Sequence, residues 1–265
     1  MEQTTARIVE EGITAYYKGL ALSLGGQFHD LDADLVWFCT GRQSLPRFNG
    51  VLRARIPAEK LEEMTGPILA DFRKRRLPFF WADSPSGATP GLGEFLAANG
   101  VPLVAKGRPA MIRSLDDLPP LPPLEKVVIS EVHSSCDQAE WLDVHMQGLE
   151  DPPETMPDFK AYLEYTLSRS EWHHFIARWD GAPCAISTLL CAREAAGIYH
   201  VTTLPAYRGK GLGRALTVAA MQAGKERGYS RALLFATVDG LPLYQKLGFV
   251  TVLTTDIYAW VGDSP

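Results

Sequence analysis

Cysteine is scarce: the 265 residues hold four, at 39, 136, 184 and 191, with no C-x-x-C pair among them. That spacing supports neither a disulfide framework nor a metal site, and the thiols, set in apolar runs, read as reduced and buried. Long apolar stretches are missing too. None approaches the roughly 20 residues a spanning helix needs, and the opening MEQTTARIVEEG is acidic and polar rather than basic and then apolar. The expectation is a cytoplasmic protein with no membrane partner. Nor is there a basic stripe: 26 Lys and Arg face 31 Asp and Glu, a net charge of −5, which argues against a general nucleic-acid binder. The one basic run, RKRR at 73–76, closes a predicted helix, where cations complement the helix dipole. Two phosphate-loop signatures, G-x-G-x-x-G and G-x-x-x-x-G-K-[ST], are also absent. What remains is 46% hydrophobic content, enough for one large domain or two ordinary ones.

The chain divides around SLDDLPPLPPL at 114–124, whose four prolines can continue neither a helix nor a central strand. It reads as a linker, 113–125, between domains 1–112 and 126–265. Before it, apolar spacing over 5–24 predicts a helix ended by Gly25 and Gly26. DLVWFCTG and NGVLRARIP read as strands, a helix runs from Pro57 to Arg76, LPFFWAD is a buried strand, and a short helix ends at Asn99-Gly100 before one or two strands. The first half is thus α-β-β-α-β-α-β. After the linker come strand, helix, the loop DPPETMP, helix, two strands around Asp180-Gly181, a strand over 197–204, helix 212–228, strand 231–237, helix 241–247 and terminal strands through Trp260.

The sequence is organised around YHVTTLPAYRGKGLG, 199–213. A β-branched apolar run leads through a turn into an arginine and three alternate glycines, then an amphipathic helix. Glycines at 209, 211 and 213 clear side chains from a place where backbone N–H groups and the positive helix end converge, which suits a pyrophosphate. The stretch resembles the [RQ]-x-x-G-x-[GA] loop of the GNAT superfamily of acyl-CoA-dependent N-acyltransferases, matched by Arg208, Gly211 and Gly213. GLPLYQKLGF, some thirty residues on, resembles that family's closing motif through Tyr244, Gly248 and Phe249. The resemblance covers 126–262 and implies an α/β (α+β) GNAT fold with a mixed central sheet. The first half lacks the loop but parallels the second from LPFFWAD onward. It is read as a degenerate GNAT-like domain of tandem type that should not bind the cofactor.

By that resemblance the co-substrate is acetyl-CoA. The main chain of Val201, Thr202 and Thr203 pairs with the pantetheine arm as an added strand, and Arg208, Gly209, Lys210, Gly211, Leu212, Gly213 and Arg214 hold the pyrophosphate. Tyr244 donates a proton to the departing thiolate. Thr237 stands where relatives often have an asparagine that touches the cofactor. Gly197 stands where many have a glutamate base, so the base is open. His200 is nearest, though alternation with Val201 bears on which face it takes, and His145, His173 and His174 are weaker choices. Direct transfer to the primary amine of a small molecule is the implied reaction, with no metal and no nucleic acid, and a homodimer is left open. The alternative is a catalytically silent acyl-CoA-binding sensor or scaffold. Glu150, Asp151, Glu154 and Asp158 cluster in one loop, which reads as solvated or as an acidic mouth favouring a cationic amine.

Overall fold

A computed structural model describes residues 2–31, 34–83, 89–121 and 124–262. Pro122 and Pro123 of the expected linker, and residues 263–265 of the expected second domain, lie outside that set. In chain order the elements are α1 (Glu2–Ser23), β1 (Gln27–Leu31), β2 (Leu35–Cys39), β3 (Asn49–Ala54), α2 (Leu61–Lys74), β4 (Phe79–Asp83), α3 (Leu92–Ala98), β5 (Leu103–Ser114), β6 (Val127–Glu131), α4 (Ser135–Leu149), α5 (Met156–Leu167), β7 (Trp172–Trp179), β8 (Ala182–Ala192), β9 (Ala195–Thr203), α6 (Leu212–Glu226), β10 (Arg231–Phe235), α7 (Leu241–Lys246) and β11 (Val250–Trp260). Strand β1 was not expected. Its residues are exposed or half-buried with no alternation, so it shows no apolar face in the sequence.

The chain forms two compact units, and their division departs from the expected 1–112 and 126–265 at both ends. The first comprises Met1–Arg7, Tyr16–Ala110 and Thr251–Pro265; the second comprises Ile8–Ala15 and Met111–Val250. The terminal strand joins the first unit because β11 pairs antiparallel with β4, from Asp256 opposite Asp83 to Trp260 opposite Phe79. The Pro-rich stretch is no tether either. Leu115 is buried in the second unit's core with Leu118 and Leu124 packed beside it, its N–H donates to Ser230 O, and Lys225 Nζ donates to Asp116 O at 2.7 Å. Arg113 donates to the carbonyls of Leu247 and Asp117.

In the first unit β1, β2, β3, β4 and β11 are neighbours in that order. One face packs on α2 and α3 through Leu69, Phe72, Phe79, Trp81 and Leu96, all buried; on the other, the Tyr17 ring meets Phe38 and Phe80 at 5.0 and 5.2 Å. The β2–β3 register slips by one residue, Trp37 facing Val51 and Val36 facing Arg53, so Leu52 is a bulge. Beyond it β3 leaves β4, with which it pairs in parallel only at Gly50 and Val51. Thr89 closes that gap. Its hydroxyl donates to Ala54 O at 3.0 Å and accepts from Ile56 N at 3.2 Å.

In the second unit the order is β10, β9, β8, β7, β6. β9 and β10 are parallel and the remaining pairs antiparallel. Helix α6 lays Leu212, Leu216, Ala220 and Met221 on one face over Phe175, Ala185, Leu189 and Ile198; this is the 3.6-residue periodicity meeting the two-residue pleat. Helices α4 and α5 cover the opposite face. A capping box starts α4: Ser134 Oγ accepts from Asp137 N while Asp137 accepts from Ser134 N. Arg178 of β7 then joins Asp137, Glu140 and Ser130.

Thr89→Val keeps the side-chain shape but leaves a buried N–H and C=O without their shared hydroxyl. We expect the unfolding free energy to fall by about 1–3 kcal/mol, read from urea denaturation.

Candidate functional site

The site begins where a strand loses one neighbour. β9 pairs with β10 only through Ala196, Gly197 and Ile198, although it runs on to Thr203 and stays paired with β8 throughout. The cause is a bulge. Between Thr188 facing Tyr199 and Ile186 facing Thr202, β8 spends one residue and β9 two, and His200 takes the left-handed conformation at φ +53°. The strand therefore turns away from β10, and the main chain of 201–203 is left without a β10 partner.

The bulge also settles which way each side chain goes. Val201 packs toward α6, next to Gly213. Thr202 is buried against α4, where a Cβ added at Gly148 would lie 2.4 Å from its methyl group. His200 turns to the same α4/α5 face: its ring lies 5.8 Å from Trp141, 5.0 Å from His145 and 5.5 Å from Tyr162. Simple alternation with Val201 did not show this. The Gly197 position has no room for a glutamate, because a Cβ there would fall 2.6 Å from the Tyr199 ring. Tyr199 donates to Gly12 O of α1 at 3.0 Å, a contact the sequence reading missed; glycine in mid-helix was its one signal.

Past Thr203 the chain makes a one-turn 3-10 helix, Pro205–Tyr207, and then the glycine loop. Gly209 and Gly211 sit at φ +76° and +84°, a backbone that side-chain-bearing residues rarely adopt. Gly211 is the N-cap of α6 and no side chain caps that helix, so its first N–H groups and its dipole face outward. Leu212 contributes only main chain there, its side chain being core. Cations ring the loop. Arg208 Nε donates to Thr203 O at 3.2 Å, Lys210 Nζ lies 4.9 Å from the Trp179 ring and 5.1 Å from Tyr207, and Arg214 is half-buried one turn into α6.

Tyr244 stands on α7, its ring buried and 6.0 Å from Phe249. Burial pushes its phenol up to about 12, so it keeps its proton over the working pH range. Thr237 Oγ1 accepts from Gly240 N at 3.1 Å and so helps start α7.

The remaining histidines sort by partner. His174 is buried, with Nε2 2.8 Å from Thr166 Oγ1 and Nδ1 2.9 Å from Thr188 Oγ1. Thr166 spends its single hydrogen on the Tyr162 carbonyl, so His174 donates from Nε2 and accepts at Nδ1, a neutral ring with both nitrogens used. Desolvation, then the neighbouring His173 and His145, push it down to about 3. His173 Nδ1 lies 2.6 Å from Glu131, which also meets Arg227. His145 Nε2 lies 3.2 Å from Asp151 Oδ2, both side chains buried. Asp151 is therefore no solvated loop residue, whereas Glu150 and Glu154 are exposed. The thiols need a correction as well: Cys39 and Cys184 are buried, but Cys136, in the first turn of α4, is exposed. Among the described residues no group of three or more His, Cys, Asp or Glu could hold a metal ion, and no helix is long and apolar enough to cross a membrane.

A strand edge opened by a bulge and leading into an uncapped, glycine-flanked helix N-terminus defines the GNAT class of acyltransferase fold. Residues 170–251, all but Thr251 within the second unit, match the model of the acetyltransferase (GNAT) domain. The chain is 29% identical over 179 residues to a mycothiol acetyltransferase of Catenulispora acidiphila, a match covering 62% of this chain and 56% of that protein. It spans about half the length of the curated relatives it matches. Among solved structures it is similar to a GCN5-related N-acetyltransferase from Kribbella flavida, with TM-score 0.73 and 21% identity over 97% of this chain and 96% of that one. It is also similar to a tandem GNAT protein from the clavulanic acid biosynthesis pathway, with TM-score 0.59 and 15% identity over 87% and 79%. These likenesses show the fold of the whole chain, tandem type included.

His174 carries a prediction for acid stability. Below its ordinary value of 6.5 the unfolded chain takes up a proton that the folded one refuses until about 3. Stability is therefore lost as pH falls through that window. Denaturant midpoints measured from pH 7 to 4 should fall, and His174→Gln should flatten the slope.

Proposed function

We propose that the second unit transfers an acetyl group from acetyl-CoA to the primary amine of a small molecule by direct attack, with no covalent enzyme intermediate. The observation that supports it most is the end of β9–β10 pairing at Ile198, which leaves the backbone of 201–203 without a β10 partner just before the glycine loop. The residues present fit the co-substrate. The main chain of Val201, Thr202 and Thr203 would pair with an extended pantetheine arm, and one of its N–H groups would polarise the thioester carbonyl. Gly209 to Arg214, with Arg208 beside them, would hold the pyrophosphate on backbone N–H groups, helix dipole and cations. Thr237 would offer its hydroxyl hydrogen to the same ligand.

His200, on the bulge and facing α4 and α5, would take the proton from the incoming ammonium. Tyr244 would give its proton to sulfur as the C–S bond breaks. Its raised value does not bar the donation, since a thiolate released into the same apolar surroundings is raised as well. We assign the first unit no share in cofactor binding: Thr89 already occupies the backbone groups of its own strand gap, and α2 opens on Leu61, Glu62 and Glu63 rather than on glycines and cations.

Isothermal titration with acetyl-CoA, CoA, ATP and NAD, followed by thiol release across polyamines, amino acids, aminoglycosides and glucosamine 6-phosphate, tests this reading. We expect the two CoA species to bind and the others not. Gly211→Asp with Gly213→Asp should abolish that binding, and equal affinity in the variant would refute the loop assignment. Tyr244→Phe should lower kcat about 10²-fold with cofactor affinity little changed. Binding without turnover on any amine would instead favour a silent acyl-CoA sensor.

A further inference from the structure

The α4/α5 face holds a buried histidine–aspartate pair to which the proposed transfer assigns no part. His145, on the last full turn of α4, has no exposed side-chain surface and lies with Nε2 3.2 Å from Oδ2 of Asp151, itself 3% exposed. Asp151 follows directly on the helix end, where its N–H donates to Met146 O. The imidazole is fixed on both flanks: it stacks on Trp141 at 5.1 Å and 18° and leans on Phe159 of α5 at 4.2 Å. Its next neighbour is His200 of β9, 5.0 Å away between centroids at 53°. The other titratable groups facing this cluster are His174 of β7, neutral and satisfied by Thr166 and Thr188, and Tyr162 of α5, 5.5 Å from His200. Asp151 brings a carboxylate to this cluster.

Packing alone does not call for this arrangement, because an apolar pair of similar size would fill the space without desolvating a charge. The geometry points to His145 and Asp151 as a positioning pair for His200, holding its ring and stabilising the positive charge it gains on accepting the acceptor's proton. This rests on the reading of His200 as base. His200 takes one proton from the ammonium, the freed lone pair forms the N–C bond, the C–S bond breaks with its electrons on sulfur, and Tyr244 protonates that sulfur. The second proton leaving nitrogen restores Tyr244 through solvent, His200 returns its proton to solvent, and one proton is released overall. Asp151 stays ionised throughout.

Imidazole 15N spectra of the full-length protein over pH 4–9, with and without CoA as probe, test the pair without a known acceptor. Asp151→Asn keeps the size and a polar contact but removes the charge, so the His200 midpoint should drop by about 1 unit or more, with His133, far from the pair in sequence and on the surface, unmoved. His145→Gln, which cannot relay the charge, should move it the same way. Amide spectra that match wild type confirm the fold in each variant. With the fastest amine of the panel, the acid limb of kcat/KM should shift down in parallel while the Kd for CoA stays constant. An unmoved His200 midpoint in both folded variants overturns the proposal. Failure of wild-type protein to bind CoA would overturn the acyltransferase reading instead, and the His200 shift would still report on the pair.

Discussion

One extra residue in β9 governs the geometry of the second unit. Were β9 and β8 in continuous register, β9 would run flush against β10, and the main chain of 201–203 would be spent on a ladder. The bulge at His200 bends the strand out of that ladder, and the left-handed backbone there is sustained because β8 on one side and Trp141, His145 and Tyr162 on the face over-determine it. Two results follow from the same distortion. It supplies a strand edge without a β10 partner, and it sets His200 and Thr202 toward the α4/α5 face while Val201 stays under α6. A feature that costs pairing energy thereby defines both walls of the candidate site.

The two units show how the same device is either kept open or closed. Leu52 in β3 is a bulge at the equivalent step of its strand, and β3 leaves β4 after Val51 much as β9 leaves β10 after Ile198. In the first unit, however, a threonine hydroxyl from beyond β4 satisfies the exposed carbonyl and amide at once. Buried backbone groups must find partners somewhere. Where the chain supplies the partner itself, the gap is structural; where it does not, the groups remain for something else to meet.

The elements that could be read in the sequence are those whose signal is local. The glycine loop, the amphipathic α6 and the setting of Tyr244 are each written within at most 15 consecutive residues. Strand β1 was missed because QFHDL has no apolar side, and its place is decided by pairing with β2. The face taken by His200 depends on a register slip against β8, which is not a property of β9 alone. Asp151 looked like one of several loop carboxylates, and only the last turn of α4, which brings it against His145, separates it from Glu150 and Glu154. The prolines of 114–124 were read as a spacer since proline breaks ladders, yet Leu115, Leu118 and Leu124, which flank them, pack on the second unit's core. Partner choice among distant segments was the missing information in every case.

The membership of β11 in the first unit has a consequence for the order of assembly. β11 follows every other strand of the first unit and all of the second in the chain, so during synthesis the strand beside β4 is absent while the rest of that unit's sheet has already been made. Until then β4 presents Phe79 to Asp83 as an unpaired edge, a template for pairing with another chain. The second unit lacks none of its strands at that stage, so the portion made first is the portion completed last. Newly made chains thus carry that open edge for the whole time needed to translate the second unit, and pairing of β11 with β4 is the step that closes it.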